Sequence, residues 1–139
     1  MNNINIMDAS AILAYLQGEK GTEIMEEALD ACPSWMTTVN YCEVLGKLCD
    51  KGMPADQAQL VIQDLGLVIV DFDMDLAWRA AKMRKTTVAI GASLGDRACL
   101  ALAERTGRQA FKPIVYTAEQ SWAKIAWQFK VALIRRPGR

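Results

Sequence analysis

Four carboxylates stand where chemistry is expected: Asp8 in Ile6-Met7-Asp8-Ala9-Ser10, Glu43 in Thr38-Val39-Asn40-Tyr41-Cys42-Glu43, Asp96 in Ser93-Leu94-Gly95-Asp96-Arg97, and Glu119 in Tyr116-Thr117-Ala118-Glu119-Gln120. Each follows a predicted strand or opens a predicted helix, which brings all of them to the same end of a parallel sheet. Taken singly, each acid has an ordinary structural use. Asp8 can cap a helix, Glu43 can pair with Lys47 one turn on, Asp96 has capping-box spacing from Ser93, and Glu119 suits a helix dipole beside a similar Thr117 and Gln120 pair. Together they form an acidic pocket. Clustered carboxylates repel one another unless a cation compensates them, and oxygen ligands of this kind suit Mg²⁺ or Mn²⁺.

The chain contains no histidine. A histidine triad, a two-histidine ribonuclease mechanism and imidazole-based zinc sites are thereby excluded, leaving acid-base work to carboxylates, tyrosine, lysine or water on a metal. The four cysteines, Cys32, Cys42, Cys49 and Cys99, form no C-x-x-C pair and read as buried reduced thiols. Formal charge is zero overall but unevenly spread: residues 1–75 carry 13 acids and 3 bases, residues 76–139 carry 3 acids and 13 bases. A basic half points to a polyanionic partner, and equally to two halves that attract each other in the fold.

The elements that must position the acids follow from periodicity and capping. Ile4–Asp8 reads as a central strand that runs into a helix over Ser10–Leu16, and Thr22–Ala31 as a second helix stopped by Pro33. Trp35–Thr37 is a brief strand. Thr37 or Thr38 caps a helix that carries Tyr41, Cys42, Leu45, Leu48 and Cys49 inward and stops at Gly52, and Pro54 opens another that ends at Gly66. Leu67–Phe72 reads as a buried strand, and Asp73 caps a helix with Leu76, Ala77, Ala80 and Met83 on its apolar side. Thr86–Ser93 is expected to be a loop, followed by a helix over Gly95–Arg105 that ends at Gly107. Pro113–Thr117 is a strand, Ala118–Trp127 a short helix and Lys130–Ile134 a last strand.

Strands alternating with helices imply a mostly parallel sheet covered on both faces. At 139 residues, with 52% hydrophobic and 23% charged, the expectation is one globular domain over residues 1–139. No apolar run approaches the ~20 residues of a membrane span, and the first residues lack a signal-type stretch, so a cytoplasmic protein without membrane contact is expected.

Met7-Asp8-Ala9-Ser10-Ala11-Ile12-Leu13, Thr38 to Glu43, Ser93-Leu94-Gly95-Asp96-Arg97-Ala98 and Tyr116-Thr117-Ala118-Glu119 with Trp122 are together similar to the PIN-domain family, and within it to the VapC-like toxins. The similarity spans essentially the full chain. It implies a three-layer α/β/α fold and a Mg²⁺- or Mn²⁺-dependent endoribonuclease that hydrolyses phosphodiesters with metal-activated water, the toxin of a toxin-antitoxin pair. Asp8, Glu43 and Asp96 would be the principal acids. Glu119 stands where many relatives carry aspartate, and its extra methylene alters or weakens a second metal position.

On the same reading Ser10 and Thr117 hydrogen-bond the acids, and Arg79, Arg84, Lys85 and Arg97 with the Lys124–Arg139 tail hold the RNA backbone. The resemblance also implies a homodimer and a cognate antitoxin, with Ile24, Met25 and Leu29 serving either the core or an antitoxin groove. Two other classes stay open. A phosphoryl receiver or aspartyl-nucleophile phosphatase also uses a strand-end Asp with Mg²⁺, although Asp8 lacks the second acid at i+2 and no acidic pair precedes it. A PIN-like interaction module without catalysis is the other.

Overall fold

The apolar strands find their partners in one sheet of order β3-β2-β1-β4-β5, with every pairing parallel. A computed structural model describes residues 2–135. The strands are β1 (Asn3–Met7), β2 (Ser34–Thr37), β3 (Val68–Val70), β4 (Lys112–Thr117) and β5 (Lys130–Leu133). Between them run α1 (Ala9–Leu16), α2 (Thr22–Ala31), α3 (Thr38–Asp50), α4 (Ala55–Gln63), α5 (Met74–Lys82), α6 (Arg84–Thr87) and α7 (Leu94–Arg108). Strand order reverses between β1 and β4, so the crevice beyond their carboxyl ends is the natural place for a ligand.

Alternation along β1 sorts the core into two layers. Ile4 and Ile6 pack with Leu76 and Ala80 of α5, Cys99–Ala103 of α7, Val115 and Trp122. On the opposite face Met7 and Met36 join Ile12 of α1, Met25 and Ala28 of α2, Val44 and Leu48 of α3, and Ala58 and Ile62 of α4. The sheet is therefore sandwiched between helices, the three-layer arrangement expected. Asn5, buried on the α2 side, donates to the Ala28 carbonyl at 2.7 Å and to Ser34 Oγ at 3.3 Å, which satisfies an otherwise costly polar group.

Several expectations are corrected. β3 is an edge strand, with Val68 50% exposed, because the rule that parallel strands are buried on both faces lapses where a strand has one neighbour. Residues 84–90 are not a loop but a short helix followed by a 3-10 turn over Val88–Ile90. The α7 helix runs through Gly107 to Arg108, and Ala110 takes the positive φ of 68° just beyond it. Ala118–Trp127 holds only a 3-10 turn over Gln120–Lys124. Val44 rather than Cys42 faces inward from α3; Cys42 is exposed, Cys32 and Cys49 are half-buried, and Cys99 alone of the four is fully buried. Among the described residues no helix is long and apolar enough to cross a membrane.

Candidate active site

Asp8 sits one residue past β1, at the N-cap position of α1, yet its side chain caps nothing. Its Oδ2 instead accepts from Ser10 Oγ at 2.6 Å and from Thr117 Oγ1 at 2.8 Å. Both hydroxyls are themselves oriented by backbone donors: Ala118 N–H reaches Ser10 Oγ at 3.0 Å and Glu119 N–H reaches Thr117 Oγ1 at 2.9 Å. The turn after β4 thus aims two N–H dipoles at Asp8 through two hydroxyls. Thr117 is consequently not the cap that its spacing from Gln120 offers. Asp8 Oδ1 has no hydrogen bond among the described residues, and no buried side-chain polar atom among them lacks a partner, so Oδ1 keeps some solvent access although Asp8 as a whole is buried.

The α3 helix brings Glu43 to the same place. Thr37, not Thr38, caps that helix, accepting from Asn40 N–H at 3.1 Å, while Thr38 Oγ1 accepts from Phe72 N–H and ties the chain after β3 to α3. Asn40 is buried and fully used. Its Oδ1 accepts from Thr37 Oγ1 at 2.6 Å, and its Nδ2 donates to Glu43 Oε1 and to the Gly95 carbonyl, both at 3.0 Å. One amide therefore positions Glu43 and locks α3 to the start of α7. No ion pair joins Glu43 to Lys47 among the described residues, and Glu43 stays open to solvent on one side.

Gly95 explains how Glu43 fits. A Cβ built at residue 95 would stand 2.5 Å from Glu43 Oε2, a distance real Cβ contacts do not show. The glycine is buried in the first turn of α7, and its bare Cα is the surface against which the carboxylate lies. Asp96 follows it and forms the expected capping box: Ser93 N–H donates to Asp96 Oδ2 at 2.9 Å and Asp96 N–H to Ser93 Oγ at 3.2 Å. Asn40 and Gly95 are the members of the site that reading by residue type overlooks. Their only sequence signal is position, an amide one turn before Glu43 and a glycine directly before Asp96.

The electrostatics show that Asp8, Glu43 and Asp96 share one neighbourhood. Burial pushes the Asp8 carboxyl up to about 7 despite its two hydroxyl donors, and the negative charges of Asp96 and Glu43 add to the rise. Glu43 is also raised, by partial burial first and by Asp96, against the pull of Asn40 and Lys47. The Cys99 thiol, buried a turn beyond Asp96, is held well above its usual value by burial and then by all three carboxylates. No Lys or Arg pairs with Asp8, Glu43 or Asp96 among the described residues; the ion pairs lie elsewhere. Glu119 is exposed, and its charge is not among those that act on Asp8 or Glu43, although its backbone N–H is tied to Thr117 beside them.

The donor set fits a hard divalent cation: oxygen ligands, excess negative charge and an exposed Glu43 carboxylate beside the buried Asp8. Among the described residues no three His, Cys, Asp or Glu side chains are placed to hold a metal ion together. Mg²⁺ commonly keeps several waters and uses one or two carboxylates with substrate phosphates, so an open cluster suits it. The pH behaviour is testable. A carboxyl whose folded pKa lies above its unfolded value binds the proton more tightly when folded, so stability is fullest below the unfolded value and is lost as pH rises through the folded one. For Asp8 that window runs from 3.8 to about 7. Melting temperature without divalent ions is expected to fall between pH 5 and pH 8, and Mg²⁺ or Mn²⁺ at pH 8 is expected to restore it; a flat profile unaffected by either ion would remove the cation from the site.

Of the cations expected to meet RNA, Arg79 is occupied otherwise. It pairs with Asp75 at 2.8 Å and with Glu104 at 2.9 Å, joining α5 to α7. Arg105 likewise pairs with Asp73 at 2.9 Å, and Arg135 with Glu19 at 3.2 Å. The two oppositely charged halves of the chain do attract each other at these points. Arg84, Lys85 and Arg97 have no such partner among the described residues, and Arg136 and Arg139 of the basic tail lie outside them.

Residues 6–128 match the family described as the PIN domain. Over 111 residues the chain is 33% identical to a VapC ribonuclease of Mycobacterium bovis and to ribonuclease VapC42 of Mycobacterium tuberculosis, covering 73% of this chain and 84% of each relative. Its fold is similar to a chain of VapBC2 from Rickettsia felis, crystallised bound to a DNA fragment from their promoter, with TM-score 0.69, 13% identity and coverage of 94% of this chain and 98% of that one. A chain of DNA-bound VapBC from Salmonella typhimurium gives TM-score 0.69, 12% identity and coverage of 97% and 100%.

Proposed function

The chain belongs to the PIN-domain family, and on that premise we propose that it is a Mg²⁺- or Mn²⁺-dependent endoribonuclease, the toxin of a toxin-antitoxin pair. What supports the reading is that Asp8, Glu43 and Asp96 lie near enough for their charges to act on one another, with no Lys or Arg ion-paired to any of them among the described residues. The relatives named as VapC ribonucleases and the VapBC complexes of similar fold support the activity and an antitoxin partner. A homodimer and a single functional unit over residues 1–139 belong to the same proposal.

In this reading Asp8 and Asp96 hold the ion, and Glu43 holds it or orients water. Glu119, two residues past the Thr117 that holds Asp8, would serve an outer position. An ion bound there supplies an activated water at neutral pH and neutralises charge on the departing oxygen. Ser10 and Thr117 keep Asp8 Oδ2 engaged, so Oδ1 is the oxygen presented. Asn40 holds Glu43 by Oε1, and Gly95 leaves room for Oε2. Because burial holds the Asp8 carboxyl up at about 7, binding of a cation by its carboxylate would be favoured as pH rises and would release a proton.

Without histidine, activation of the RNA 2′-hydroxyl by an imidazole pair is unavailable, and attack by water is the expected route. End-labelled RNA digested with Mn²⁺ should carry 5′-phosphate and 3′-hydroxyl ends. Recovery of 2′,3′-cyclic phosphates would overturn the mechanism, and an intact substrate at every divalent ion tried would leave an interaction module.

A further inference from the structure

A cleft of about 250 Å³ opens beside the acidic centre, between the 84–90 segment and the first turn of α7, with Arg84, Thr87, Val88, Ser93, Leu94 and Arg97 in its wall. Ser93 belongs to both places. The residue that walls the cleft donates its N–H to Asp96 Oδ2 at 2.9 Å, so whatever occupies the cleft lies directly behind a site acid. Gly91, with a left-handed φ of 64°, turns the chain between the two walls.

Two guanidinium groups from different elements contribute to this one cleft, and neither has an acid partner among the described residues. Their neighbours Arg79 and Arg105 are both paired. Arg97 is also held in place: its Nη1 donates to the Ala80 carbonyl at 3.0 Å, which orients the group while sparing its other donors. The Thr87 hydroxyl is spent on the Met83 carbonyl at 2.7 Å and acts only as wall. No aromatic ring and no carboxylate lines the cleft. Arginine forks without acids suit phosphate, and the lack of a ring leaves no platform on which a base would stack. The volume suits one nucleotide unit of a single strand, with Val88 and Leu94, 74% and 53% exposed, offering apolar contact to sugar or base edge.

We propose that this cleft is a backbone-phosphate subsite, which seats the phosphodiester adjacent to the one cut in a single RNA strand. The proposal rests on the nuclease reading above. Its physical logic is that three carboxylates repel a polyanion, so a strand must be gripped by cations just outside the acidic centre before its scissile group can enter. Such a grip acts alike on ground and transition states and therefore appears in KM rather than in kcat.

The test uses the full chain, Mn²⁺ and short fluorescein-labelled single-stranded RNAs of differing sequence. Arg84→Ala, at an exposed position, is expected to raise KM about tenfold, equally for each sequence, with kcat within about twofold. It should also flatten the slope of log Kd against log salt by about 0.7, the value of one phosphate contact on a single strand. Arg97→Lys, which keeps the charge and loses the fork, is expected to raise KM less. A wild type that cuts RNA while Arg84→Ala leaves both KM and the salt slope unchanged would overturn the subsite alone, as would a fall in kcat at constant KM. A wild type that cuts no RNA would overturn the nuclease reading and the subsite with it.

Discussion

Asp8→Asn is expected to slow RNA cleavage by about a thousandfold and, in the absence of divalent ions at pH 8, to raise the melting temperature by several degrees. The two effects share one cause. At pH 8 the wild-type carboxylate is charged and buried, with Asp96 and Glu43 adding repulsion, and asparagine removes that charge while its carbonyl can still accept from Ser10 and Thr117. Raising a carboxyl from 3.8 to about 7 corresponds to roughly 4 kcal/mol of lost stability once the group ionises, an order of magnitude for what the variant regains. The same substitution deletes the anionic oxygen that a cation needs. Thermal melts and cleavage rates on one preparation check both halves. Cleavage at the wild-type rate would take Asp8 out of the chemistry, and a lower melting temperature at pH 8 would mean that its charge is already compensated.

Gly95→Ala is expected to lower kcat about a hundredfold with stability unchanged or slightly improved. The new methyl group would stand 2.5 Å from Glu43 Oε2, so the carboxylate must swing away. It can do so at little cost, because the colliding atom ends a flexible side chain that is open to solvent. Alanine also favours the helix over glycine by up to about 1 kcal/mol. Displacing a catalytic group by about 1 Å can cost a hundredfold in rate, which places the loss in the chemistry rather than in the fold. Gly46→Ala in α3 is the matched control, since nothing lies within 4 Å of its added Cβ. It should stabilise the helix and leave cleavage alone; wild-type kcat in Gly95→Ala would show that the position of Glu43 is immaterial.

These two positions mark different degrees of legibility. Asp8 is conspicuous by type, an acid closing an apolar strand, while Gly95 looks like a helix-start glycine and reveals its use only when Glu43, 52 positions earlier, is seen against it. Arg79 shows the converse: its type and its basic surroundings mark it for RNA, but Asp75 and Glu104 claim it across the α5–α7 contact. On α3, Tyr41, Leu45 and Leu48 pack inward as periodicity predicts, but Cys42 does not, for a related reason. Periodicity identifies an apolar stripe, yet Cys42 and Val44 are two positions apart, and only packing against α1 and α4 decides that Val44 goes inward.

Local physics, readable along the chain, determined the five strands and the longer helices in their order, the caps at Asp73 and Ser93, and the placing of four acids near strand exits or helix starts. These depend on groups a few residues apart, whose geometry the backbone dictates. Tertiary structure decided which acids share a field, that Asp8 binds hydroxyls instead of capping its helix, that β3 lies on an edge, and which arginines are left unpaired. Each of those outcomes depends on atoms brought together from distant segments, and charge, burial and steric exclusion act through distance in space, which one-dimensional spacing does not contain.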